Sequence, residues 1–417
     1  MWYHTRMDDE LRRKLQRLGV VRGLHALQPP PPPRPVVSVP FSSEPLPGEV
    51  ITTAHGSTWI VQHHYPANHR HGRYTLEKAD TLAPETLALL GIPDLGDCPA
   101  FLDTETTGLA GGTGTLIFLT GVGLWQPDGF DLYQVFLRDP SEERAALDYL
   151  ADLLAQASSL VTFNGRGFDL PLLEGRFILQ RMVPRWRGLP HLDLLLTART
   201  LWREHLPSRR LGFLEEALLG INRSQEDLPG WLIPAAYREY LQTGTTTEMS
   251  RIFYHNEIDI ISLVSLLRHV ARLTQEPEAL GVTAAEWVGL GRLYDQAGCR
   301  DEANAAWHRA LEEDALPPDT AERLWRELSM QRKQDQDWEN ARALWESWAN
   351  RIPWAIEPLV ERAKYAEWVA QDLDAALQET QRALQRLPKL PNGFSRQQWA
   401  AALQHRQQRL ERKLNKK

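Results

Sequence analysis

The sequence predicts an α/β domain with a mixed sheet flanked by helices, followed by an all-α domain of helical repeats. Three observations predict it. Over 100–137, three runs, "PAFLDTET", "GTLIFLTGVGLW" and "FDLYQVFL", are separated by Gly-rich or Asp-Gly turns, as in an antiparallel meander. A helical pattern, an apolar run "SLVTFN" (159–164) and further helical patterns around 167–182, 193–204, 209–219 and 250–272 follow in the same unit. After 280 only helical patterns remain.

A chain of 417 residues has room for two or three domains. Its 42% hydrophobic and 24% charged residues are those of an ordinary globular protein. The net charge of -7 supplies no global field for nucleic acid, so any such binding comes from local patches. Two distant cysteines, Cys98 and Cys299, exclude a disulfide scaffold and a cysteine zinc site. The N-terminus is charged from the start, and the longest apolar run is too short and glycine-punctuated to span a bilayer. The expected location is the cytoplasm.

In chain order, residues 1–48 read as an N-terminal helix and a proline-rich linker. Leu11, Leu15 and Leu18 line one side of a basic helix over 8–20, and "QPPPPPRP" (28–35) stiffens the chain into a polyproline II spacer. The α/β domain is expected over 49–275. Its early histidines, His63, His64, His69 and His71, have no carboxylate or cysteine at a recognised ligand spacing and read as surface and packing residues. After the meander, Asp139 as N-cap, Pro140 at the first helical position and Glu142 at N3 resemble a capping box.

Helical repeats are expected over 280–394. Trp287, Leu290, Gly291, Tyr294, Ala303, Trp307 and Ala310 resemble the tetratricopeptide (TPR) pattern position by position, with Trp307 in place of Phe. A second copy has Trp325, Leu328, Ala341, Trp345 and Pro353, and a weaker third has Leu359, Ala363, Ala375 and Pro388. The tail 395–417, with Trp399, Leu403, Leu410 and Leu414 near heptad spacing, reads as a capping helix with a solvated basic face; a phosphate-binding patch is the sharper alternative.

The chemistry concentrates in three segments. In "FLDTETTGL", Asp103 and Glu105 lie two apart on a strand and share a face, where each raises the pKa of the other unless a cation intervenes. In "VTFNGRGFDLPLL", Asp169 opens a helix after a glycine turn. In "YHNEIDIISL", His255 and Asp259 are four apart and share a helix face. Alone, Asp169 reads as an N-cap, Asp259 as a solvated residue and His255 as a satisfied, partly buried histidine. Together, in this order, they point to one site.

These segments resemble the three motifs of the DEDD 3′–5′ exonuclease superfamily, and the element order is that of a ribonuclease H-like domain. With "HHYPANHRHG" and "HLDLLLTARTLWR", the stretch from about 50 to 270 resembles the YprB-like branch of that superfamily. The resemblance implies a nuclease that holds two Mg²⁺ or Mn²⁺ ions on Asp103, Glu105, Asp169 and Asp259. It implies Asp103 bridging both ions, Glu105 and Asp259 on the ion of the attacking water, and Asp169 on the second. The superfamily's third motif carries Tyr four residues before the Asp or His five before it. Here His255 is four before and Tyr254 five before, and the spacing makes His255 the candidate general base. Thr106, Thr107, Gly108 and Leu109 would wall the terminal nucleotide, and Asn164 would tie the strand end or touch substrate. Asp193 reads as a helix cap, and Arg166 as a solvent-facing turn residue.

The resemblance thus implies a 3′–5′ exonuclease on single-stranded DNA or RNA ends, with a TPR module for a protein partner and no membrane partner. A structure-specific endonuclease on the same metal site, or an inactive TPR adaptor, is the alternative.

Overall fold

The computed structural model describes residues 45–78, 83–108, 114–224, 227–313, 315–390 and 393–415. The expected N-terminal helix, the polyproline spacer and Leu109 lie outside them.

Residues from Pro45 onward form one compact unit. Its first part builds a seven-stranded mixed sheet from β1 (Glu49–Thr53), β2 (Gly56–Pro66), β5 (Pro99–Thr106), β6 (Ile117–Gln126), β7 (Gly129–Phe136), β8 (Ser159–Thr162) and β9 (His191–Asp193). The short β3 (Arg70–His71) and β4 (Tyr74–Thr75) pair separately. The spatial order is β1-β2-β7-β6-β5-β8-β9. Strands β5, β6 and β7 form the expected antiparallel meander, while β8 runs parallel to β5, and β9 parallel to β8. Strand β9 is only three residues long, too short for a periodic signal.

Alternation along β5 feeds two cores. Phe101 points into a cluster with Trp125, Phe130 and the long helix α6 (Thr247–Gln275), joined by α1 (Pro84–Leu89) and α4 (Leu194–Leu201). Ala100 and Leu102 point the other way, onto α2 (Glu143–Leu154) and α3 (Asp169–Leu179). Helix α5 (Ile233–Thr243) stacks Tyr237 on Phe118 with ring centroids 3.9 Å apart.

The capping box before α2 forms differently from expectation. Asp139 accepts from the Ser141 N–H at 2.8 Å and caps a 3₁₀ turn, Pro140–Glu142. Glu142 reaches back to the Arg138 N–H at 3.1 Å and also takes its guanidinium. The 3₁₀ turn shifts the start of the α-helix to Glu143.

From Ala284 the chain is helical: α7 (Ala284–Gln296) and α8 (Arg300–Glu312), α9 (Pro318–Gln334) and α10 (Trp338–Arg351), α11 (Glu357–Trp368) and α12 (Leu373–Arg386), then α13 (Phe394–Leu414). Small residues give the large ones room, since a Cβ on Gly291 would lie 2.2 Å from Trp307 Nε1. In the third pair the fully buried small residues are Ala363, Ala376 and Ala383; Ala375, chosen from the sequence, is only partly buried. The tail helix buries Leu403 and Leu410 as expected, but its basic face is not wholly solvated. Arg406, Arg409 and Lys413 converge on the buried carboxylate of Glu367, at 3.2, 2.5 and 2.8 Å, which removes these three from a phosphate-binding patch.

The helical stack is seated closely on the sheet domain. A Cβ on Gly289 of α7 would lie 1.9 Å from the carbonyl oxygen of Leu201, the last residue of α4. Beside it, Glu204 accepts from Arg292, from Arg323 at 2.9 Å and from Thr320 at 3.2 Å. No helix among the described residues is long and apolar enough to cross a membrane.

Candidate active site

Strand β5 carries Asp103 and Glu105 on the face of Phe101, toward α6. Opposite Asp103 on β6 stands Gly121. A Cβ there would lie 2.3 Å from Asn256 Oδ1, so only glycine leaves room for this buried α6 side chain. Asn256 Nδ2 donates to Asp103 Oδ2 at 3.0 Å, and Gln134 Nε2 on β7 donates to Asn256 Oδ1 at 3.0 Å.

One turn of α6 brings His255 and Asp259 to the same point. His255 Nε2 lies 3.8 Å from Glu105 Oε1 and 3.6 Å from Asp259 Oδ2. Its Nδ1 is 2.7 Å from Asp227 Oδ1, so the carboxylate fixes the ring with Nε2 toward the other acids. Tyr254 instead accepts from the Ser224 N–H at 3.3 Å and packs against the core. Asp169 opens α3, is buried, and accepts from the Thr104 hydroxyl.

Arg223 lies among these acids. Its Nη2 donates to Asp259 Oδ1, and Nε and Nη2 clamp Glu215 at 2.6 and 2.7 Å. Glu215 is fully buried, in a π-helical turn, Glu215–Leu219, that extends the short helix Leu211–Leu214. Such turns recur at functional sites.

The electrostatics follow from burial and crowding. Burial, then the charges of Asp259, Asp169 and Glu105, push the Asp103 carboxyl well above its ordinary range. Burial raises Glu105 to about 8, with His255 opposing and Asp259 and Asp169 adding to the rise. Burial raises Asp169 to about 6 against the Thr104 hydrogen bond. Burial works against a charge on His255, but Asp227, Asp259 and Glu105 outweigh it and raise the imidazole to about 9.

The four carboxylates expected from the sequence therefore come together with His255. Among the described residues, however, no group of three or more His, Cys, Asp or Glu side chains stands ready-arranged for a metal ion. Both Asp259 oxygens face cationic groups, Arg223 and His255, and Thr104 holds Asp169. The donors themselves fit a hard divalent cation, being carboxylate oxygens of which Asp103 and Glu105 have their charged form penalised by burial and by neighbouring acids.

The expected nucleotide wall is occupied with its own loop. Thr106 Oγ1 donates to the Gly108 carbonyl at 2.7 Å, and Thr107 Oγ1 accepts from the Leu116 N–H at 3.0 Å. Asn164 adopts φ 69°, and its N–H bonds Asp193 Oδ1 at 2.8 Å, so it ties the strand end. Asp193 caps α4, as expected, and also accepts from the exposed Arg166 through its N–H at 3.0 Å. Sequence reasoning missed Arg223, Glu215, Asp227, Asn256 and Thr104.

The chain is 32% identical to the uncharacterized protein YprB of Bacillus subtilis (strain 168) over 332 residues, 77% of this chain and 78% of that protein. The chain belongs to the YprB family. A model of the RNase_H superfamily matches residues 100–271, from β5 through most of α6, so this member of the YprB family carries an RNase H superfamily domain that includes all four carboxylates. The family B DNA polymerase of the hyperthermophilic archaeon Pyrobaculum calidifontis aligns with 61% of this chain at 14% identity and TM-score 0.36. The chain spans about a third of that polymerase, a likeness too distant to bear on function.

Proposed function

We propose that the protein is a metal-dependent nuclease that trims single-stranded DNA or RNA ends from the 3′ side. The observation that carries this reading is the meeting of Asp103, Glu105, Asp169 and Asp259 in one buried, undercompensated acidic site within an RNase H superfamily domain. Mg²⁺ or Mn²⁺, held by these four side chains, would supply activation of water and stabilisation of the leaving oxygen. Asn256 and Gln134 hold Asp103 in place, and Thr104 holds Asp169. Asp227 orients His255, whose Nε2 is the proton-accepting atom of the site. In the free site burial opposes that proton, but the bond to Asp227 and the neighbouring carboxylates of Asp259 and Glu105 raise the imidazole to about 9. Neutralising those charges lowers the imidazole toward the range of a working base.

The helix pairs from Ala284 support a TPR-like module that docks a protein partner. The supporting observation is the repeated contact of small and large residues, as at Gly291 and Trp307.

Oligonucleotides labelled at the 3′ or the 5′ end, incubated with Mg²⁺ or Mn²⁺, test the proposal. A ladder shortening from the 3′ end is expected, and Asp103→Asn abolishes it. Defined internal cuts would make the protein an endonuclease. Turnover no higher than that of Asp103→Asn would leave an adaptor.

A further inference from the structure

We propose that the Arg223 guanidinium is a built-in competitor of the divalent ion at Asp259, anchored by Glu215 so that it releases the carboxylate without leaving the site. This rests on the nuclease reading above. Four observations carry it. Arg223 engages one oxygen of Asp259 while His255 Nε2 faces the other at 3.6 Å, so the carboxylate is already shared between two cationic groups. Arg223 is held independently, by two bonds of 2.6 and 2.7 Å to Glu215. Glu215 is fully buried, and an unpaired charge there is prohibitive, so the guanidinium stays with it whichever way Asp259 turns. Asp227 Oδ2, 3.6 Å from Nη1, provides the second acid toward which the guanidinium can lean.

The arrangement explains why the acids converge without forming a ready-made ion cage. The site carries its own cation in the resting state, and a divalent ion gains Asp259 by displacing it. An Arg suits this role because its planar fork serves Glu215 and Asp259 together, which a Lys ammonium on its shorter stem cannot.

The test is Mn²⁺ binding to the full chain, read by titration calorimetry and by the signal of free Mn²⁺ in electron paramagnetic resonance. Arg223→Met is combined with Glu215→Gln, so that no charge is left buried alone, and Arg223→Lys is measured beside it. Thermal unfolding establishes that each variant folds. The double variant is expected to bind Mn²⁺ about tenfold more tightly than wild type, with Arg223→Lys between them. Equal or weaker binding in a folded double variant overturns the competitor role and leaves the nuclease reading standing. If no form binds Mn²⁺ at millimolar concentration, the metal reading of the four acids falls, and this inference with it. Should the double variant not fold, Arg223→Lys decides alone: affinity at or below wild type overturns the proposal.

Discussion

Acids lie below the surface in both parts of the molecule, in opposite company. In the helical stack, Glu361 takes Lys333 and Lys364, while Glu367 takes Arg406, Arg409 and Lys413. Burial acts to raise both carboxyls, but these cations outweigh it and hold them below the usual range. In the sheet domain, Asp103, Glu105 and Asp169 are raised instead, with Arg223 and His255 as the nearby cationic groups. The contrast teaches that depth alone does not mark a site. What marks it is negative charge left uncompensated where the fold had the means to compensate it elsewhere.

The largest expected effect lies on the compensated side. Glu367→Gln strands three cations around a buried position and is expected to cost about 3 kcal/mol in denaturant unfolding, the low end for a broken buried pair because Arg409 and Lys413 reach solvent. A loss below about 1 kcal/mol would mean that the stack does not depend on this cluster.

Acidification separates the two behaviours further. His71, packed against α6 and bonded to Ser262, and His269, on α6 and bonded to Tyr74, are buried, and burial lowers both to about 4. A histidine depressed in the fold stabilises above its unfolded value of about 6.5 and loses that contribution as pH falls toward 4. The loss is on the order of 2–3 kcal/mol for each. The raised carboxyls act the other way: Glu105 contributes most below about 4.5 and loses that contribution as pH rises through about 8. Metal-free stability is therefore expected to peak on the acid side of neutrality. A melting temperature that climbs steadily from pH 5 to 8 would contradict this.

Two glycines allow a cleaner comparison. Gly121→Ala drives a Cβ against Asn256, and Gly291→Ala drives one against Trp307. Each is expected to cost roughly 1–3 kcal/mol of stability by overpacking. Only Gly121→Ala should also impair nucleolytic turnover and Mn²⁺ binding, because Asn256 holds Asp103. Equal impairment by both would dissolve the distinction.

The smallest effect has the opposite sign. Asp103→Asn removes a buried carboxyl whose ionisation its surroundings oppose and is expected to stabilise the metal-free protein by about 1 kcal/mol at pH 7.5 while abolishing the stabilisation by millimolar Mg²⁺. Destabilisation on this substitution would mean that the acids are better compensated than their surroundings indicate.

Part of this acidic cluster is legible in the sequence. Asp103 and Glu105 needed only the two-residue period of a strand, and His255 with Asp259 only the four-residue step of a helix, so local geometry carried them. Asn256 sat in the same motif, and its position, facing the sheet next to His255, was a signal that went unused. Arg223, Glu215 and Asp227 had no local signature. Glu215 sits in a π-helical turn and Arg223 and Asp227 in the connection after it, and only the tertiary fold brings them to Asp259. The same holds for Glu367, whose partners lie about 40 residues away on α13. The Asp139 cap was read correctly, but a 3₁₀ turn moved its partner by one residue, a difference of hydrogen-bond geometry that composition does not encode.

The seat of Gly289 on Leu201 has a mechanical side. Helix α4 is eight residues long, a strut of about 12 Å, with Leu201 at its far end. At its near end Asp193 braces the backbone of Asn164 and Arg166, the turn that delivers Asp169. A load borne by the stack would bear on one end of a stiff rod whose other end steadies the turn before Asp169. A partner docked on the helical stack, as proposed above, would hold a handle on that turn.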